Sequence, residues 1–223
     1  EQAYRLRNKD IGYSIAEEGN LCIAGVEKEN GNWVRIISED DEIKHAVTAK
    51  DAMYEDGSFP QVMDVIRVKY KGHNPSYYQP ENYVIDNSFY WKKLGRSSIK
   101  ELLRIHPTEN KPYIFYNTAK CIDGVSVKGL KGGDKYSLVL ILPKAVCIHV
   151  RQWPKRKQVT MSFTYNGNRY RYLPITDTEF ESAFLQCPEG DRKLKEKCLI
   201  VVSLGDMHTD KKHYKLIAKV LNI

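Results

Sequence analysis

The chain reads as short strands separated by turn residues. Apolar runs at Leu21 to Glu27 and Trp33 to Ser38 flank Asn30-Gly31, and runs at Gln158 to Thr164 and Arg169 to Leu173 flank Asn166-Gly167. An Asn-Gly step between apolar runs predicts a hairpin, because both residues enter left-handed backbone space at little cost. Val62 to Lys71 alternates at its end, with Ile66, Val68 and Tyr70 on one face and Arg67, Lys69 and Lys71 on the other. A period of two puts the first face in a core and the second against solvent or a ligand. The same rule turns Val159, Met161 and Phe163 inward and Thr160, Ser162 and Thr164 outward. Further strands are predicted over Tyr113 to Cys121, Tyr136 to Leu142, Ala145 to Gln152, Leu199 to Leu204 and Tyr214 to Leu221. Leu138 to Leu142, apolar on both faces, reads as central, and the last strand sets Tyr214, Leu216, Ala218 and Val220 against His213, Lys215 and Lys219.

Predicted helices are few. Ser98-Ile99-Lys100-Glu101 fits a capping box before Leu102 to Ile105, and Thr176-Asp177-Thr178-Glu179 opens Phe180 to Gln186. The polar stretch His106 to Lys111, with Pro107 inside it and Pro112 after it, is the best boundary between two halves of similar make-up. The expected fold is therefore mainly β: two small barrel-like domains, 1–108 and 109–223, with a few short helices and no detectable internal repeat.

Composition supports a folded chain. Hydrophobic residues make up 42% of 223, and Tyr supplies 15 aromatics against 6 Phe and 3 Trp. Cys22, Cys121, Cys147, Cys187 and Cys198 form no C-x-x-C and read as reduced core residues of a cytoplasmic protein. No run approaches the ~18 apolar residues of a membrane span. A net charge of +7, with 35 Lys and Arg against 28 Asp and Glu, favours an anionic partner.

Catalytic motifs are missing: there is no H-E-x-x-H, no paired-cysteine knuckle and no G-x-S-x-G, so no enzyme, cofactor or metal is expected. Gly129 to Gly133 precedes a strand rather than a helix and reads as a turn, not a phosphate loop. Glu39 to Glu42 lacks the spacing of a calcium loop. Glu109-Asn110-Lys111, downstream of Asp86, is an acid-x-Lys pair of the kind a metal-dependent nuclease would use, and it falls in a polar loop.

Binding chemistry is better represented. Phosphates require cations, and bases stack on aromatic faces. Trp33 and Arg35 share a strand face, Arg67, Lys69 and Lys71 share another, and Arg151 to Lys157 sets Trp153 among Arg151, Lys155, Arg156 and Lys157. His73 to Tyr83 crowds two prolines, three tyrosines and several polar side chains into one loop; it either presents Tyr78, Gln79 and Asn82 or bonds them to itself.

At these residues the chain resembles the dual OB-containing domain family of bacterial proteins. The resemblance rests on Cys22-Ile23-Ala24-Gly25, Trp33-Val34-Arg35, the His73 to Asn82 segment, Phe163-Thr164-Tyr165-Asn166-Gly167 with Leu173 to Asp177, Ser203-Leu204-Gly205 and Tyr214 to Ala218. It implies two tandem OB-like barrels and a nucleic-acid-binding or sensing role in bacterial conflict and antiviral defence systems, with no catalytic residues. The expected contacts to nucleic acid, DNA or RNA, are Trp33, Arg35, Arg67, Lys69, Lys71, His73, Tyr78, Gln79, Asn82, Arg151, Trp153 and Arg156. An adaptor that binds a partner effector protein through a barrel face is the alternative, and a metal-dependent nuclease a remote one.

Overall fold

The structure, a computed structural model, describes residues 21–223 except 155, together with the backbone of Tyr4–Arg7, Ser14–Ala16 and Asn20. The chain divides into two compact units, Glu1–Pro107 and Thr108–Ile223. Unit 1 holds β1 (Tyr4–Arg7), β2 (Ser14–Ala16), β3 (Asn20–Glu27), β4 (Trp33–Ile37), β5 (Val47–Thr48), β6 (Asp64–Val68), β7 (Tyr70–His73), β8 (Asn82–Ile85), β9 (Lys92–Arg96) and α1 (Ile99–Ile105). Its sheet runs β7-β8-β4-β3-β1-β6-β9, with β2 and β5 also pairing β3; β4 and β8 are parallel and the other pairs antiparallel. β7 ends this order and β6 stands beside its other end, yet only Lys69 separates them in sequence. The sheet therefore curls round a core of Leu21, Ile23, Val34, Ile36, Val47, Ile66, Val68, Ile85, Tyr54 and Trp91.

Gly31 shows why the first hairpin takes this turn. Its φ of +73° is left-handed, and a Cβ there would lie 2.4 Å from the Ile105 carbonyl oxygen at the end of α1. Ser98 caps α1, its hydroxyl accepting from the Glu101 N–H, as the capping-box pattern predicts.

Unit 2 holds β10 (Cys121–Asp123), α2 (Gly124–Lys128), β11 (Leu138–Ile141), β12 (Lys144–Gln152), β13 (Lys157–Tyr165), β14 (Asn168–Pro174), α3 (Thr178–Leu185), β15 (Gly190–Lys193), β16 (Cys198–Met207) and β17 (Lys212–Asn222). Two antiparallel sheets, β10-β17-β16-β11 and β14-β13-β12-β15, are joined through Leu142-Pro143 and by a parallel bridge from Ile175 to Ile217. Asn166 and Gly167 turn the second hairpin with φ of 46° and 76°. The architecture is mainly β, with several sheets and a few short helices, and no described helix is long and apolar enough to cross a membrane.

Several expectations are corrected. Tyr113 to Cys121 forms no strand; Ile114–Tyr116 is a tight turn with Phe115 and Tyr116 at positive φ, and β10 starts only at Cys121. Tyrosine hydroxyls replace the ladder there. Tyr165 accepts from Lys111 N and donates to Glu109 O, Tyr170 accepts from Ile114 N, and Tyr136 accepts from Phe115 N and donates to Tyr113 O. Leu138 to Ile141 is buried on both faces but stands at a sheet edge. Glu109 closes that edge, its carboxylate accepting from Leu140 N while its own N–H donates to Leu140 O.

The polar side of β17 is also inside. His213, Lys215 and Lys219 are buried, whereas Tyr214 and Leu216 are half-buried. Each lysine finds partners: Lys215 Nζ donates to Asn117 O and Oδ1 at 2.6 and 2.8 Å, and Lys219 pairs with Asp177 at 3.0 Å. Thr160 and Ser162 keep the face opposite Val159, Met161 and Phe163 but are buried there, Ser162 lying opposite a bulge in β14 and accepting from Tyr172 N. Of the five free cysteines only Cys198 is a core residue; Cys22 is exposed and the others are half-buried.

Candidate nucleic-acid interface

Alternation along β6 buries Ile66 and Val68 and turns Arg67 outward. Arg67 stands directly opposite Lys92 on β9 and opposite Arg5 in the backbone register with β1. Arg67 and Lys92 thus set two cationic positions side by side in one row, an arrangement that like-charge repulsion disfavours unless an anion sits over it. Arg67 also lines a shallow cleft of ≈ 390 Å³ with Lys28, Val65, Leu94, Gly95, Arg96 and Glu101. Three cations face one carboxylate there.

Aromatic groups adjoin this row. Lys69 Nζ lies 3.5 Å from the centroid of Phe89, and both Phe89 and Tyr90 are exposed. Trp91 is the buried residue between them and β9: it bridges Tyr54, so Tyr90 and Lys92 flank it on the chain and stay in solvent. Lys93 holds β9 in place through the fully buried Asp64, 2.8 Å away, whose other oxygen accepts from Tyr54 Oη and Gln61 N at 2.9 Å. Register joins Arg67 to Lys92 and contact joins Lys69 to Phe89, while Phe89 and Tyr90 line a second cleft with Lys50, Asp51 and Met53.

Other expected contacts are placed differently. Arg35 and Asn82 are register partners and both are buried, as is Gln79. The His73 to Tyr83 loop bonds largely to itself: Asn82 Nδ2 donates to Gln79 Oε1, Gln79 N to Ser76 Oγ, and His73 Nε2 meets Pro80 O at 2.7 Å. Tyr78 is half-buried against Tyr77. Trp33 is half-buried, its ring edge-on to His106 at 4.7 Å. Lys71 is exposed beside Glu39, whose carboxylate holds the ammonium charged to higher pH. In unit 2, Trp153 and Arg156 are exposed at the tip of the β12–β13 hairpin, while Arg151 pairs with Asp191.

The sequence reading missed Phe89, Tyr90, Lys92, Arg96 and Lys28. Their signal was the run Phe89-Tyr90-Trp91-Lys92-Lys93, aromatic residues passing directly into cations with no strand period to advertise them.

A family model described as the dual OB-containing domain matches residues 14–220. The chain belongs to that family. No curated protein and no solved structure matches this dual OB-containing chain. OB folds in general offer one sheet face and its loops to oligonucleotides, oligosaccharides or proteins.

Proposed function

We propose that this dual OB-containing protein is a non-catalytic single-stranded nucleic-acid-binding module, and that two closed OB-like barrels, 1–108 and 109–223, are its finer architecture. The observation that carries the function is the in-register Arg67–Lys92 pair beside exposed Phe89 and Tyr90. Arg67, Lys92 and Arg96 take backbone phosphates, and Tyr90 and Phe89 stack bases, a combination that suits single strands because unpaired bases expose their faces. Barrel closure in unit 1 is supported by the near-continuity of β6 and β7 at the two sides of the sheet order. A fluorescence-anisotropy titration with labelled single strands and duplexes of DNA and RNA tests the reading. Preferential, salt-sensitive binding of a single strand supports it; no affinity for any of the four at low salt rejects it and leaves the protein adaptor.

A further inference from the structure

We propose that Cys147, His149 and Asp191 form a binding site for a zinc-class divalent metal on the outer face of the β14-β13-β12-β15 sheet. The inference is independent of the nucleic-acid reading, which rests on unit 1. Cys147 and His149 are two residues apart on β12 and therefore project to the same side, opposite buried Ile148 and Val150. Asp191 on β15 is the register partner of His149. One ligand atom from each of the three lies within 4.8 Å of the other two. Tetrahedral zinc with bonds of ~2.0–2.3 Å needs ligand separations of ~3.3–3.8 Å, so small side-chain rotations close the set. Thiolate, imidazole and carboxylate together are the borderline donor set that zinc and cobalt favour.

The surroundings fit such a ligand set. His149 Nδ1 meets Asp191 Oδ1 at 2.9 Å, and Nε2 lies 2.8 Å from Ser162 Oγ. With Nε2–H donating to Ser162, Nδ1 keeps its lone pair for the metal, the outer-shell arrangement that orients ligating histidines. Tyr172, at φ 55° on the bulge, packs its ring 4.6 Å from His149 and bonds Ser162 through its N–H. A serine–histidine–aspartate nucleophile is the rival reading of the same chain of bonds. Ser162 is 2% exposed under Tyr172, so no substrate carbonyl reaches it. Asp191, by contrast, is open to solvent, leaving the fourth metal position accessible. Thiolate and carboxylate neutralise a divalent ion, and Arg151, bonded to Asp191 at 2.5 Å, leaves one positive charge beside that position. The fourth ligand is accordingly water or an anionic oxygen.

Cobalt titration of the full chain under reducing conditions tests this. The expected result is one Co²⁺ per chain with a thiolate-to-cobalt charge-transfer band in the near ultraviolet, displaced by Zn²⁺. Cys147→Ser abolishes the band, Asp191→Asn weakens binding at least tenfold, and Ser162→Ala weakens it about 10–100-fold. Cys22→Ser, at the exposed cysteine of unit 1, leaves band and affinity unchanged. Absence of the band in the wild type, or its persistence in Cys147→Ser, overturns the proposal. Asp191 is exposed, so its variant keeps the test sound if Cys147→Ser does not fold.

Discussion

Arg67 and Lys92 are paired residue to residue across the β6–β9 ladder, both pointing away from the core of unit 1. Directly opposed like charges cost stability, of order 0.2–1 kcal/mol per pair. Lys92→Glu converts the repulsion to attraction and is expected to raise stability by about that amount while weakening nucleic-acid binding. Urea denaturation and anisotropy on the same variant check the opposite signs. A fall in stability contradicts the pairing, and unchanged affinity removes Lys92 from the interface.

Lys215 makes stability depend on pH. Burial pushes its ammonium down from 10.5 to about 7, and the neutral amine still has two N–H groups for Asn117 O and Oδ1. Between pH 7 and 10.5 the unfolded chain holds a proton that the folded chain does not, so this residue makes stability rise with pH, by at most about 1.4 kcal/mol per unit. Below 7 both states are protonated and the penalty is complete. The Cys198 thiol, pushed up from 9 to about 11 by burial, acts in the opposite sense above pH 9. Denaturant midpoints from pH 7 to 9 are therefore expected to climb in the wild type and to climb less in Lys215→Met.

The tyrosine latches account for a segment without regular structure. Tyr165→Phe leaves the Lys111 N–H and the Glu109 carbonyl without their hydroxyl partner. The expected loss is about 1–3 kcal/mol, because these backbone groups are partly desolvated. A calorimetric melt reads it directly, and an unchanged melt shows that water replaces the hydroxyl.

Asp64 anchors β9, the edge strand that bears Lys92 of the proposed interface. It is fully buried and bonded to Lys93, Tyr54 and Gln61 N. Asp64→Ala strands those partners and is expected to destabilise by about 3–5 kcal/mol. Thermal melting checks the size of the loss.

Local signals carried the hairpins: Asn30-Gly31 and Asn166-Gly167 specify their turns through backbone geometry alone; Ser98 caps α1 as expected, and Asp177, one residue after the expected Thr176, caps α3. Alternation also placed Arg67 correctly. It left the faces of β17 unassigned, because a period of two separates faces without saying which is buried, and a register shift between Ile217 and Lys219 interrupts the period. The partners that decide the question, Asn117 and Asp177, lie 98 and 42 residues away in sequence. The same distance hides the Cys147, His149 and Asp191 cluster, since Asp191 is 42 residues from His149 and no local spacing joins them. The Gln79 and Asn82 loop had two readings in the sequence; both side chains are buried, and Asn82 Nδ2 donates to Gln79 Oε1 within the loop.

The salt dependence of single-strand binding tests the central claim most directly. Log-log plots of affinity against salt are compared for the wild type, Arg67→Ala/Lys92→Ala and Tyr90→Ala. With ~0.7 slope units per phosphate contact on a single strand, removing two contacts is expected to flatten the slope by ~1.4. Tyr90→Ala is expected to lose about 1–3 kcal/mol of affinity with little change of slope. A wild type that binds no single strand at low salt, or a double variant that keeps the wild-type slope and affinity, contradicts the account.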